Sequence, residues 1–497
     1  MEQQTFKLDS DIAWNVFLIN ADMEFEREHV FPAIHTLRNA SQVCSSWRDL
    51  IVSSPSLWAR IINFDFLRGE RWRKEVLNRT GSYSLSVRGG TADQEVVIPF
   101  LAENWLRIRS LTLSFVRSSS ENFKKDTGLW NLLARPANVL ESFQLSLRTT
   151  EFDYWAAQPI FSPPDFTFFH NQAPLLKSFS ALGINSNIGA DWAIQLRHLE
   201  LSHPIPVHGL LEALSHLLLL ETLLIKERGS HTIVHRDVEG SRPLPKIAVP
   251  RLKTIQISLR MDITPYMVFL AQIEPVYGRV LNFDARTGVF RYISDLQTIS
   301  AASEVLSTYS NQAGLGASTE VTLDLNSFLL SFRALLPARR EFCFSLESYP
   351  RFPMDDTFNK IFSALHPPIF HHVQMLNLCV HRKNCVPPTD PNFINFIASF
   401  SSLEILETDP TTLDYLLGLP KVVLKSAFPV LQEIKIDLVE DPEEVVPIRD
   451  FILSRMAFEV PISIVAITRS NWMTSESLGS LGEHVVVTVL ITSERRR

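Results

Sequence analysis

The chain has 497 residues, 45% apolar and 20% charged, which is the composition of a globular protein with a sizeable core. Its formal net charge of −7 excludes a general electrostatic attraction to nucleic acid or to an anionic membrane surface. The four cysteines have no paired spacing, so we expect free thiols in a reducing compartment, the cytoplasm or the nucleus.

The first predicted element is a helix near the N-terminus. In the segment 8–19, Ile12, Val16 and Ile19 fall in line and Phe17 lies alongside them, which is the spacing of an apolar helix face. A helix this short buries little surface by itself. A module built from such helices would therefore benefit from a partner.

A second and a third helix are predicted on either side of a proline. Pro55 disfavours helical geometry at Ser54, so the second helix should end near Ser53. Ser54 can then cap a short third helix, with Pro55 in its first turn and Leu57 and Trp58 turned inward. One face of the second helix is predicted from apolar residues that recur every three or four positions: Leu37, Ala40, Cys44, Trp47 and Ile51.

This segment resembles an F-box, and more narrowly the F-box-like version found in fungal receptor families. The resemblance covers roughly residues 5–88 and rests on Val-Cys-x-x-Trp at 43–47 and Ser-Leu-Trp at 56–58. It implies binding to the adaptor subunit of an SCF-type ubiquitin ligase and, through it, to a cullin. By that analogy Leu8, Ile12 and Phe17 belong to the element that meets the adaptor. The residues that hold that surface or contribute to it are Val43, Trp47, Leu57 and Trp58.

From about residue 84 the chain alternates β-type runs with amphipathic helices. The mean step between runs is near thirty residues, which is the size of one strand–helix unit. The step of 121 residues between Ile255 and Leu376 divides into about four, with weaker candidate strands near residues 280, 320 and 341. The central apolar residues of the clearest runs are Leu111, Phe143, Phe179, Leu199, Leu223, Ile255, Leu376, Leu406 and Ile434.

Constant alternation of strand and helix predicts parallel pairing. Such units could close as a barrel or stack as an open solenoid, and the Leu-x-x-Leu-x-Leu runs resemble irregular leucine-rich repeats, which stack. His381 occupies the place where regular repeats have an asparagine. We therefore predict an α/β fold with a three-helix F-box-like module (5–70), an irregular leucine-rich-repeat-type solenoid with a parallel sheet (71–470), and a terminal cap strand with a basic tail (471–497).

The sequence predicts no catalytic residue, cofactor or metal. It has no phosphate-binding glycine loop and no Gly-x-Ser-x-Gly nucleophile elbow. Cys379, His381 and Cys385 form the only cluster with soft ligands, and they lack the paired Cys-x-x-Cys spacing of a zinc site.

The predicted function is that of a substrate-recognition subunit of an SCF-type ubiquitin ligase. The adaptor would bind the F-box, and a protein substrate would bind solvent-facing strand residues such as Glu200, Lys253, Gln256 and Lys435. Neither nucleic acid nor a membrane is an expected partner. A non-catalytic repeat scaffold that does not assemble into a ligase is the alternative, because Asp9 stands where F-boxes commonly have proline. An enzyme with an undetected site is a third reading.

Overall fold

The chain divides into two compact units, Met1–Ile205 with Glu212–Thr232, and Pro206–Leu211 with Ile233–Arg497. No helix among the described residues is long and apolar enough to cross a membrane. The computed structural model describes residues 10–21, 23, 32–90, 93–118, 120–150, 160–202, 205–226, 244–259, 263–274, 276–286, 296–326, 328–347, 354–365, 370–381, 386–439, 442–469 and 485–491.

The first unit begins with short helices and continues as alternating strands and helices. Its helices are α1 (Ser10–Asn20), α2 (Ala33–Ala40), α3 (Ser45–Val52), α4 (Pro55–Trp58), α5 (Glu70–Arg79), α6 (Gln94–Asn104), α7 (Ser120–Lys124) and α8 (Thr127–Leu133), and α9 (Val207–His216) is divided between the units. Its strands are β1 (Ile62–Asn63), β2 (Leu85–Gly89), β3 (Ile108–Arg117), β4 (Ser142–Thr149), β5 (Ser178–Leu182), β6 (His198–Leu201) and β7 (Thr222–Lys226).

The strands of this unit pair in parallel and in chain order, from β1 to β7. Leu111, Phe143 and Phe179 lie directly opposite one another, and the row continues through Leu199 and Leu223. All five side chains are buried. The predicted central residues are therefore one continuous row of the core, and their strand neighbours face the other side of the sheet.

Aromatic rings fill the core beside this row. The Phe143 ring centroid lies 5.5 Å from that of Phe179 and 5.3 Å from that of Phe169. Trp192 packs on Phe179 at 4.5 Å. Phenylalanine supplies bulk without a polar group that would need a partner, which suits it to this interior position.

The second unit also alternates strands and helices. Its helices are α10 (Thr264–Gln272), α11 (Leu296–Ala313), α12 (Met354–Ala364), α13 (Pro391–Ala398), α14 (Pro410–Leu417), α15 (Lys421–Ser426) and α16 (Val445–Ala457). Its strands are β8 (Thr254–Leu259), β9 (Val280–Arg286), β10 (Glu320–Asn326), β11 (Leu329–Leu336), β12 (Arg340–Glu347), β13 (Met375–His381), β14 (Ile405–Thr408), β15 (Glu433–Val439), β16 (Ile464–Arg469) and β17 (Val486–Ile491).

The strand order in this unit departs from chain order at one place. The sheet runs β8, β9, β12, β11, β10, β13, β14, β15, β16 and β17. The weaker candidate strands near 280, 320 and 341 are present as β9, β10 and β12. The expectation of a purely parallel sheet is wrong, because β11 is antiparallel to both β10 and β12.

Short connections account for this antiparallel strand. Only two residues separate β10 from β11, and Asn326 Oδ1 accepts hydrogen bonds from the amides of Phe328 and Leu329 at 2.8 and 2.7 Å. Three residues, Pro337–Arg339, join β11 to β12. A parallel crossover needs a dozen residues or more, so connections of this length permit only hairpins.

Buried arginines stabilise the loops of the second unit. Arg279 donates hydrogen bonds to the carbonyls of Leu252, Val249 and Glu274 at 2.9, 2.9 and 2.6 Å. Burial lowers the pKa of Arg279 from its usual range. Arg455 likewise donates to two loop carbonyls, at Ala427 and Phe428. These guanidinium groups satisfy loop carbonyls in a sequence that lacks the asparagine of regular repeats.

Candidate adaptor-docking surface

Helix α1 carries apolar residues on two sides. Ala13 and Phe17 are buried, whereas Ile12, Val16 and Ile19 are 54%, 43% and 69% exposed. The spacing of four and three residues places these three side chains on one face of the helix, and we call them the apolar stripe. A single exposed aliphatic residue is ordinary, but three in a row on one helix leave an apolar face without cover among the described residues.

An aromatic contact holds α1 on the following helices. The ring of Phe17 meets the edge of Trp47 on α3, with centroids 5.1 Å apart and planes at 80°. Trp47 is half-buried and Phe17 is fully inside. Phe17 therefore fixes α1, and the apolar stripe on the same helix is left facing outward.

The predicted single helix across residues 37–51 is wrong. It is two helices, because α2 ends at Ala40 and α3 begins at Ser45. Cys44 adopts an extended backbone, and its thiol accepts a hydrogen bond from the Trp47 amide at 3.5 Å, as an N-cap does. The hydrogen bonds with Ser46 and with this amide lower the pKa of the exposed Cys44 thiol. Cys44 is thus a surface cap of α3, and it was wrongly expected on an apolar helix face.

The turn between α2 and α3 adds a further exposed aliphatic residue. Val43 lies in this turn and is 65% exposed. It directly precedes the cap residue Cys44, so the hydrogen bonds that hold the start of α3 also fix the backbone next to Val43. A valine held outward at a fixed turn can contribute to a docking surface.

The prediction for the third helix is confirmed in its position and in its buried residues. Helix α4 begins at Pro55, and Leu57 and Trp58 are buried. Ser54 lies at the cap position without capping α4, because its hydroxyl donates to the carbonyl of Leu50 in the preceding helix. The proline ring fits the first turn because that position needs no amide donor.

Trp58 connects the helices to the rest of the first unit. Its Nε1 donates to the carbonyl of Ile51 at 2.8 Å, and its ring lies edge-on to Trp72 of α5 at 6.3 Å. The guanidinium of Arg79 stands 4.7 Å from the centre of the Trp58 ring, within range of a cation–π contact. The contacts of Trp72 and Arg79 with Trp58 were not predicted from the sequence. The available signal was their spacing of seven residues on α5, about two helical turns, which places both side chains on the same side of the helix.

The helices are also joined to the sheet. Strand β1 follows α4 after three residues and pairs in parallel with β2, with Ile62 opposite Val87. Arg88 of β2 donates through Nη1 to the carbonyl of Met23 at 2.7 Å, close to the end of α1. Helices α1–α4 and strands β1 and β2 therefore pack together within the first unit.

The structure separates the predicted adaptor-binding residues into three groups. Ile12 and Val43 are exposed, and Trp47 is half-buried. The others that are described lie in the interior and support the surface: Phe17, Leu57 and Trp58. Leu8 lies outside the described residues, as does Asp9.

Comparison with known families supports the resemblance for part of this segment. Residues 29–63 match the family model described as F-box-like. The match covers α2, α3, α4 and β1, whereas α1 precedes it. No curated protein matches the chain. An F-box-like domain suggests a role in binding the adaptor subunit of SCF-type ubiquitin ligases.

A second cluster of potential ligands lies in the second unit. Cys379, His381 and Asp409 each offer a ligand atom within 4.8 Å of the others. Both carboxylate oxygens of Asp409 already accept hydrogen bonds from Thr412, at 2.8 and 2.9 Å, where Asp409 caps α14. This capping role accounts for the position of Asp409. Cys385 lies outside the described residues, and the absence of a bound metal stays a prediction.

Proposed function

We propose that this chain is the substrate-recognition subunit of an SCF-type ubiquitin ligase. The F-box-like helices would bind the adaptor, and through it a cullin, while strand residues beyond them would bind a protein substrate. The observation that carries the proposal is the apolar stripe of Ile12, Val16 and Ile19, which faces outward on the helix next to the F-box-like match.

The apolar stripe offers enough surface to matter for binding. Moving an aliphatic side chain from full exposure to full burial contributes about 1.5 to 3 kcal/mol, and residues that are 43% to 69% exposed, as these three are, can contribute roughly half of that. A micromolar complex corresponds to about 8 kcal/mol in total, so three such residues can supply a substantial share of it. The contact between Phe17 and the half-buried Trp47 keeps α1 in place before the partner binds, which reduces the ordering cost of docking.

In this proposal the chain performs no chemistry of its own. Its contribution would be to hold a substrate near a charged ubiquitin-conjugating enzyme, because confining two reactants raises their effective concentration. The packing of Trp58 against Trp72 and the pairing of β1 with β2 connect the docking helices to the sheet of the first unit. We place this activity in the cytoplasm or the nucleus.

Co-purification of the full chain with the adaptor tests the proposal. The variant Ile12→Glu/Ile19→Glu places two charges in the apolar stripe, and we expect recovery of the adaptor to fall at least about tenfold, because an unpaired charge resists burial at an interface. Leu106→Glu/Val116→Glu is the matched control, since Leu106 and Val116 are 72% and 55% exposed in the same unit and lie outside α1–α4. Equal recovery with the stripe variant and the control would contradict the proposed surface.

The scaffold alternative predicts a different outcome. If the wild-type chain does not recover the adaptor, and Asp9→Pro does not restore binding, the chain would act as a repeat scaffold outside the ligase. Point variants are preferable to deletion of residues 1–70, because that deletion also removes β1 and leaves the edge of β2 without its partner.

A further inference from the structure

The first unit contains a groove on the solvent side of its sheet. The groove has a volume of about 1020 Å³, and its floor is formed by residues of β2, β3, β4 and β5, with His198 of β6 at one end. Ala21, Met23, Ser56 and Arg60 line it from the helical part of the same unit.

The groove is strongly basic, although the chain as a whole carries a net charge of −7. Glu141 is its only carboxylate, and it is already engaged by Arg109 and Lys177, each at 2.8 Å. Outside the lining, Glu221 pairs with Arg197 at 3.7 Å. These two carboxylates are still fewer than the five cations of the lining. These cations are Arg60, Arg88, Arg109, Lys177 and Arg197.

Hydroxyl groups cross the floor of the groove in register. Ser86, Ser110, Ser142 and Ser178 occupy directly opposed positions on four neighbouring parallel strands. All four line the groove. Neighbouring strands lie about 4.8 Å apart, so this row presents a hydrogen-bonding group at each step across the sheet. The buried row through Leu111 and Phe143 lies one residue further along each strand and packs into the core on the opposite side of the sheet.

The lining fits an acidic peptide better than a nucleic acid. Single-stranded nucleic acids are held by several aromatic platforms together with basic side chains, and the aromatic rings of the lining are limited to Tyr83 and His198. Carboxylate side chains on an extended peptide can instead reach separate cations while the peptide backbone meets the hydroxyl row.

We propose that this groove binds an extended segment of a protein substrate that is rich in aspartate and glutamate. The proposal rests on the proposed function in taking the ligand to be the substrate of the ligase. From β2 to β6 the groove crosses four strand spacings, about 19 Å, which an extended peptide covers with about six residues. The complementary charge would speed association and select against neutral or basic segments.

Direct peptide binding to the full chain tests this inference. The probes are fluorescein-labelled twelve-residue peptides, (Glu-Ser-Gly)4 and its neutral counterpart (Gln-Ser-Gly)4, with a twelve-nucleotide single-stranded DNA as the competing ligand. The groove variant is Arg197→Glu/Lys177→Gln. Its matched control, Arg71→Glu/Lys125→Gln, makes the same change of charge at exposed residues of the first unit that lie outside the groove.

We expect fluorescence anisotropy to show binding of the glutamate peptide that weakens at least about tenfold in the groove variant and less than about twofold in the control. Raising the salt concentration should weaken it further, because exposed charges are screened. Three outcomes would overturn the inference. These are no binding of the glutamate peptide to the wild-type chain, an equal loss of affinity for it in both variants, and binding of the glutamine peptide or the DNA that is as tight as binding of the glutamate peptide.

The adaptor assay separates this inference from the proposed function. Arg197→Glu/Lys177→Gln should recover the adaptor as well as the wild-type chain does, because both residues lie outside the F-box-like match and the apolar stripe. Circular dichroism verifies that this variant is folded. Loss of adaptor binding by the stripe variant with normal peptide binding would support both proposals. Peptide binding by a chain that never recovers the adaptor would remove the ligase role and leave the groove specificity standing.

Discussion

The two units build their sheets from the same kind of buried row, but they add strands in different ways. In the first unit, strand order follows chain order from β1 to β7. In the second unit, α11 connects β9 to β10 along the chain, but the two strands are not neighbours in the sheet. Strands β11 and β12, which follow β10 in hairpins, lie between β10 and β9.

The second unit retains a buried row of central residues, although the order of its strands in the sheet does not follow their order in the chain. Leu376, Leu406 and Ile434 lie opposite one another in the second unit, just as Leu111 and Phe143 do in the first. Burial of one apolar residue per strand is therefore the shared requirement. Chain order can vary as long as each new strand presents such a residue to its neighbour.

The largest expected effect comes from breaking the row of the first unit at Phe143. Phe143→Ala removes a fully buried ring that lies against Phe169 and Phe179, and we expect a loss of about 3 to 5 kcal/mol in the free energy of unfolding. Hydrogen exchange followed by mass spectrometry should show faster exchange in peptides of β3, β4 and β5. Phe66→Ala is the control, because Phe66 is 41% exposed. Similar losses in the two variants would show that the row does not carry the stability assigned to it.

The arginines that satisfy loop carbonyls sharpen the comparison between the units. Arg279→Met removes a donor from three carbonyls of the second unit, of which, among the described residues, only that of Val249 keeps a second one, the Leu252 amide, and we expect a cost of about 3 kcal/mol. Arg107→Met in the first unit should cost only about 1 kcal/mol, because the carbonyls of Gly81 and Tyr83 are exposed and can bond to water. The hydroxyl of Thr80, which Arg107 also contacts, still donates to the carbonyl of Leu77. Urea unfolding of both variants measures the difference. Equal costs would mean that burial does not set the value of these contacts.

Much of the sheet was predictable from the sequence, because a buried row needs one large apolar residue at a fixed place in every strand. Leu111, Phe143 and Phe179 could therefore be recognised without coordinates. Strand β11 was missed because its neighbours are joined to it by hairpins, so it has no strand–helix spacing. The break at Cys44 was missed because α2 and α3 share an apolar spacing that continues across the turn.

The candidate site was only partly predictable for a related reason. The outward side of α1 follows from spacing, but spacing cannot say which apolar side faces the core, and here Phe17 faces inward while Ile12 faces out. The sequence also contained a pattern from which the basic groove could have been predicted. The residue two positions before each central residue forms a charged column across the strands: Arg109, Glu141, Lys177, Arg197 and Glu221.

The smallest expected effect is an alkaline destabilisation that arises in the second unit. Burial raises the pKa of Tyr309 to about 12, although the nearby charge of Arg279 acts in the opposite direction. An unfolded tyrosine titrates near 10, so the contribution of Tyr309 is fully present below about pH 10 and is lost as the pH rises towards 12. By pH 11 the free energy of unfolding of the wild-type chain should fall by about 1.4 kcal/mol, a loss that Tyr309→Phe does not show. Urea unfolding between pH 9 and 11 measures how the free energy of unfolding changes with pH. If Tyr309→Phe keeps the wild-type dependence on pH, the hydroxyl of Tyr309 is not the group that titrates.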